Sequence, residues 1–239
     1  MSHPTVPAAD HAEAWRQNLR GEHDTLLRGP RPTWWWTGLA PADCPGRQPD
    51  GRLTALPAPN LASCTRAGVL AAFDNGWTLT ETLFAALQGE EAFYRPPYHH
   101  LRHPMIFYYC HPAALYINKL RVAGLIDAPL NPYFERLFET GVDEMRWDDM
   151  SKNAMLWPSF AEAHSYRQRV YAVVRELIDT HPGLADGHPP IAMSDPLWAL
   201  FLGFEHERIH LETSSAFDIP IIEELAELGK VRSEERRVG

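Results

Sequence analysis

The 239-residue chain has only three cysteines, Cys44, Cys64 and Cys110, an odd number without paired spacing. Neither a disulfide framework nor a cysteine-based zinc site has support. Positive charge is also scarce, with 22 Lys and Arg against 31 Asp and Glu, a formal net charge of −9, and no long basic run. Affinity for a phosphate backbone comes from Lys and Arg, so nucleic acid is not an expected partner. The longest apolar stretch, Met105 to Ile117, is broken by His111 and Pro112. It falls short of the roughly 20 residues that cross a bilayer, so no membrane span is expected. The opening residues, Met-Ser-His-Pro-Thr-Val, lack the basic start and apolar core of a signal peptide, and a cytoplasmic location is the expectation. Internal repeats, low-complexity tracts and strand-type alternation are missing as well.

What is present is an ordinary globular composition, 45% hydrophobic and 22% charged, in a chain long enough for one large domain or two small ones. Many of the 21 prolines fall within residues 28–60. Each lacks a backbone donor and pushes its predecessor out of the helical region, so this stretch reads as an irregular, draping segment. It carries Trp34-Trp35-Trp36, whose indoles are costly to leave in water and are expected to pack on the body of the domain rather than serve as a ligand platform. Beyond it the periodicity turns helical. Thr65 is the expected N-cap of a helix over about 66–87, whose stripe is Val69, Leu70, Phe73, Trp77, Leu83, Phe84 and Leu87. A second helix is expected from Pro104 to about Leu125, a short one over 133–139, a third from Phe160 to Ile178 and a fourth from Asp195-Pro196 to about Ser215. The long connection between the second and third holds Gly141-Val-Asp-Glu-Met-Arg-Trp-Asp-Asp149, whose acidic residues suit a solvated loop. The pattern specifies an all-α four-helix bundle with a long crossover.

Histidine is the abundant chemical group, with 12 in the chain. Chance alone gives about 0.6 pairs at i, i+4 spacing, and two occur, His99/His103 and His206/His210. The first lies in a proline-flanked turn, the second inside the strongly apolar helix Leu197 to Leu211. Two imidazoles on one face of a buried helix either share a metal ion or are hydrogen-bonded core residues, and both readings stand. His206-Glu207-Arg208-Ile209-His210 also matches the H-E-x-x-H pattern of zinc proteases, but no histidine follows His210 and no sheet is in prospect to hold an extended peptide. A third ligand from another helix would be His111, itself otherwise a core histidine. Asn118, seven residues on, shares its face and suits a supporting or substrate-binding amide. Glu212 lies about 120° around the helix from His206, poorly placed as a ligand and better suited to a supporting role.

At the sequences Pro-Thr-Trp-Trp-Trp-Thr-Gly (32–38), Leu-Pro-Ala-Pro-Asn-Leu-Ala-Ser-Cys-Thr-Arg (56–66), Asn-Gly-Trp-Thr-Leu-Thr-Glu (75–81), Leu-Arg-His-Pro-Met-Ile-Phe-Tyr-Tyr-Cys-His-Pro (101–112), Gly-Val-Asp-Glu-Met-Arg-Trp-Asp-Asp (141–149) and Glu-His-Glu-Arg-Ile-His-Leu-Glu-Thr-Ser-Ser (205–215), the chain resembles a known family. It is similar to the N-terminal, DinB-like part of the 5-histidylcysteine sulfoxide synthases of ovothiol biosynthesis, relatives of the ergothioneine-forming sulfoxide synthases. The resemblance runs from about residue 15 to 216. It implies a DinB-like four-helix bundle over 62–217, preceded by an N-terminal helix and the irregular segment over 1–61. It further implies a mononuclear non-haem Fe(2+) on His111, His206 and His210, with Glu212 closing the motif. The implied reaction joins the sulfur of cysteine to the imidazole of histidine with O2 and leaves a sulfoxide, which fits an iron with open positions for thiolate and O2.

The resembled enzymes continue into a sulfatase-modifying-factor-like domain that covers the iron. Here the resemblance fades after Ser215, and residues 218–239 read as a non-matching tail. The expectation is therefore a truncated product with its metal site present and open to solvent. Two other functions remain in view: a DinB-type thiol transferase using zinc or another divalent ion without O2, and a metal-free helical interaction module.

Overall fold

The computed structural model describes residues 23–96, 102–139 and 156–215. Among them the regular structure is helical, with one isolated bridge between Arg47 and Leu53 and no strand. The helices are α1 (Arg66–Phe84), the single turn α2 (Glu91–Tyr94), α3 (Met105–Val122), the short α4 (Pro132–Glu139), α5 (Phe160–Thr180) and α6 over 198–215. The all-α expectation is met. The expected N-terminal helix, the acidic stretch 143–149, His99 and the tail 218–239 lie outside the described residues.

Local chemistry sets the boundaries. Thr65 caps α1 by accepting from the Gly68 amide, and Ser159 and Glu162 form a reciprocal capping box at the start of α5. Asp195 accepts from the Leu197 amide ahead of α6. Two helices stop earlier than their apolar patterns suggest. The chain leaves α3 at Gly124, which takes φ +71° while the Leu125 amide returns to the Leu120 carbonyl, the left-handed glycine stop of a Schellman turn. After Phe84 it turns through to Gly89, at φ +83°.

Every residue of α3 from Met105 to Asn118 is buried, so this helix is the centre of the molecule. It packs on α4 and α5, and α1 packs on α5. Phe204 of α6 stacks near Phe73 of α1 and meets Tyr116 of α3 edge-on. The approach of α6 to α3 depends on Gly203, where an added Cβ would come within 2.3 Å of the Tyr116 ring.

The proline-rich segment is pinned by polar side chains of α1. Asn75 accepts from the Leu56 amide and donates to the carbonyls of Pro45 and Thr54, and Thr78 donates to the Leu39 carbonyl. Of the three tryptophans, Trp35 is fully buried between Tyr109 and Phe160, as expected of a packing anchor. Trp36 packs on the edge of the core, whereas Trp34 stays about a third exposed and lies edge-on to His164.

Charge sits inside this core. Arg167 of α5 and Glu81 of α1 are each 0% exposed and face one another at 3.6 Å. The Arg167 guanidinium donates to the Tyr109 carbonyl of α3 and lies over the rings of Trp77 and Tyr109. Glu81 accepts from the amide and hydroxyl of Thr37, whose hydroxyl in turn receives the Trp77 indole N–H. Burial pushes the Glu81 carboxyl up while Arg167 and the Thr37 donors pull it down.

Removing one partner of such a pair strands the other. Arg167→Met is expected to lower stability by about 3–5 kcal/mol. Adding Glu81→Gln should recover part of that loss, as read by urea denaturation. A double variant no more stable than Arg167→Met alone would contradict the pairing.

His164 supplies a pH dependence. Its Nε2–H donates to the Trp34 carbonyl and its Nδ1 accepts from the Tyr109 hydroxyl, and burial holds its pKa down at about 4. The folded chain keeps this ring neutral between about pH 6.5 and 4 while the unfolded chain takes up a proton there. Its contribution is therefore complete above about pH 6.5 and declines as the pH falls toward 4. The fall in unfolding free energy between pH 7 and 5 should be smaller in His164→Gln than in the parent chain, and an equal fall would refute the assignment.

Candidate metal centre

Two helices bring the site together. His206 and His210, one turn apart, share a face of α6, and His111 projects from the first half of α3. The three imidazoles form a compact cluster with ring centroids 4.4–4.8 Å apart. One nitrogen from each lies within 4.8 Å of the others. Among the described residues no other group of histidine, cysteine or carboxylate side chains gathers in this way. His111 is buried and the other two are half-buried, so the cluster has an apolar floor and a solvent side. Phe107 stacks on His111 at 4.8 Å, and Tyr108 lies 6.0 Å from His210.

The donor set fits a divalent cation. His111 Nδ1–H donates to the Phe138 carbonyl, because a carbonyl only accepts; its Nε2 is thereby left as a free lone pair. His206 and His210 turn their Nε2 atoms toward each other at 3.1 Å. Their Nδ1 atoms are buried without a hydrogen-bond partner among the described residues. Two neutral rings can share only one proton across that contact, which makes the pair a poor substitute for solvation. A cation between the nitrogens would engage both lone pairs. Burial, the largest cause in each case, holds the pKa of His111 down at about 4, of His206 at about 3 and of His210 at about 2, and the proximity of the rings lowers the last two further. At neutral pH all three are unprotonated, the state a metal ligand requires.

The other sequence candidates divide. Asn118 is buried and donates to the Glu135 carbonyl of α4 at 3.0 Å. Glu212 is exposed, and among the described residues its carboxylate makes no hydrogen bond to the histidines. His103 lies tilted against Phe107, 4.2 Å between ring centroids, and stays outside the cluster. Glu207, the base in the zinc-protease reading, points elsewhere: it is 2% exposed and accepts from the Tyr116 hydroxyl at 3.0 Å. Burial pushes its carboxyl up and the charge of Arg167 pulls it down. A carboxylate packed between α1 and α3 cannot reach water at the histidines, and the protease reading fails on that geometry.

Sequence reasoning missed the buried charges and the Phe138 carbonyl. For the charges a signal existed. Glu81 is four residues past Trp77, Arg167 four past Ala163 and Glu207 three past Phe204, each on its helix's apolar stripe. A charge on such a stripe must be paired or hydrogen-bonded inside. No residue type announces a backbone carbonyl.

A family profile described as the DinB superfamily matches residues 72–214, which include all three histidines, and the chain belongs to that superfamily. Members are often metal-dependent enzymes. No curated protein matches the chain. Among the described residues no helix is long and apolar enough to cross a membrane.

Proposed function

We propose that this member of the DinB superfamily binds one divalent metal ion through His111, His206 and His210 and uses it in thiol chemistry. The observation that carries the reading is the convergence of three neutral imidazoles from two helices, with the Nε2 atoms of His206 and His210 facing each other at 3.1 Å. When bound, such an ion keeps open positions that favour a thiolate, and a redox-active iron adds reactivity toward O2. The chain's part is to hold the imidazoles unprotonated, to close the floor with Phe107 and the α4 backbone, and to leave the solvent side to substrate.

Within that class we favour O2-dependent joining of the sulfur of cysteine to the imidazole of histidine, with Fe(2+) as the metal. The resemblance of six sequence motifs to those of the sulfoxide synthases supports it. Two of them carry the site, 101–112 with His111 and 205–215 with His206 and His210, while 75–81 carries the side chains that pin the proline-rich segment and meet Arg167. A sulfatase-modifying-factor-like domain, as in those enzymes, would cover the solvent side of the histidines. The second reading is a thiol transferase using zinc without O2, which membership of the DinB superfamily supports.

Anaerobic titration of the metal-free chain with Fe(2+), beside His111→Ala and His206→Ala, tests the site. One ion per parent chain is expected, with binding lost or weakened at least 100-fold in both variants. A parent chain that binds no ion would refute the proposal and leave a metal-free helical module. Consumption of O2 by the iron-loaded protein only when both cysteine and histidine are present would select the synthase over the transferase.

A further inference from the structure

The three histidines are not held alike. Among the described residues only His111 has a hydrogen bond to a partner outside the trio, and the acceptor is a backbone carbonyl in the last turn of α4. The direction in which His111 presents Nε2 to His206 and His210 is therefore set by where α4 sits. The geometry points to α4 as the positioning element of the metal site, with Asn118 as the residue that holds α4 in register. This inference rests on the metal-binding reading above.

An eight-residue helix has little stability of its own, so its place must come from its contacts. Its N-terminal end is closed by its own residues. Asn131 Oδ1 accepts from the amides of Tyr133 and Phe134, and Glu135 Oε1 accepts from the amides of Leu130 and Asn131 at 2.7 and 2.9 Å. Glu135 is 2% exposed, and its other oxygen lies 3.6 Å from the Arg121 guanidinium of α3. Asn118 then donates to the Glu135 carbonyl at 3.0 Å. One turn further along, His111 donates to the Phe138 carbonyl. The Phe138 ring packs near Phe107, which itself stacks on His111.

His111 and Asn118 are seven residues apart and share a face of α3, and the two carbonyls they address are three residues apart on α4. The contacts thus form a two-point register. Asn118 fixes one turn of α4 and His111 reads the position of the next. Carbonyls at a helix C-terminus carry the negative end of the dipole, which suits an imidazole N–H and makes the opposite nitrogen more basic. Losing the Asn118 bond should let α4 slide or tilt, and His111 would lose the partner that selects its tautomer.

The test compares the full chain with Asn118→Leu, which keeps volume and removes the donor, and with Asn118→Ala. Asp74→Asn, at the ion pair with Arg175 between α1 and α5, serves as a stability control away from the site. Two quantities are read: the dissociation constant for Co(2+), and the tautomer of His111 in the metal-free chain from its ring nitrogen shifts. The expected result is Nδ1–H at His111 in the parent and the control, a mixture of tautomers in both Asn118 variants, and Co(2+) affinity weakened by about tenfold or more in those variants alone. Loss of thermal stability without change in affinity or tautomer would mean that Asn118 is merely structural, and would overturn the inference. So would a changed tautomer with unchanged affinity. A parent chain that binds no Co(2+) would instead overturn the metal-binding reading itself.

Discussion

The guanidinium of Arg167 joins three of the long helices directly and acts on the fourth through its charge. It extends from α5, faces Glu81 of α1 and donates to the Tyr109 carbonyl of α3, and its charge pulls the Glu207 carboxyl of α6 down. A cation with no exposed surface is tolerable only where carboxylates and carbonyls surround it, so these groups fix the rotation of each helix about its own axis. The consequence for α6 is specific. With Glu207 turned inward to Tyr116, the residues before and after it on the neighbouring face, His206 and His210, are turned toward His111. Close approach of α6 to α3 at Gly203 completes the arrangement. The buried charges and the histidine cluster are thus consequences of one packing solution.

The cluster itself is held at high chemical tension. Three bases crowd into a partly dry pocket, and burial together with their proximity keeps them unprotonated. In the absence of a cation the His206–His210 contact satisfies at most one proton and leaves buried Nδ1 atoms without partners among the described residues. Ordinary core histidines, such as His164 with both nitrogens bonded, show the contrast. This difference between His164 and the trio, more than the i, i+4 spacing, marks the trio as the candidate metal site.

Helices, caps and the paired histidines are legible in residue patterns, because apolar periodicity and capping side chains act locally: Thr65 and the His206/His210 spacing are examples. α1 and α3 end about three residues short of their apolar patterns because the chain turns toward Gly89 and Gly124, which take positive φ, while Leu87 and Leu125 still keep the helical spacing. His111 could be joined to the other two only through its apolar setting and the family resemblance, since nothing local ties residue 111 to residue 206. Asn118 is legible as a residue on the His111 face of α3, but its partner is the Glu135 carbonyl, which no side chain encodes. Glu207 shows the reverse case, a residue whose motif suggested chemistry and whose surroundings assign it to the core.

The central claim is that three imidazoles, one from α3 and two from α6, converge on a single ion. X-ray absorption at the zinc edge of the zinc-loaded chain tests it most directly. The claim predicts light-atom ligands at about 2.0–2.1 Å with the outer-shell scattering of three imidazoles, one of which disappears in His111→Ala. A shell containing sulfur at about 2.3 Å, or a histidine count that His111→Ala leaves unchanged, would contradict it.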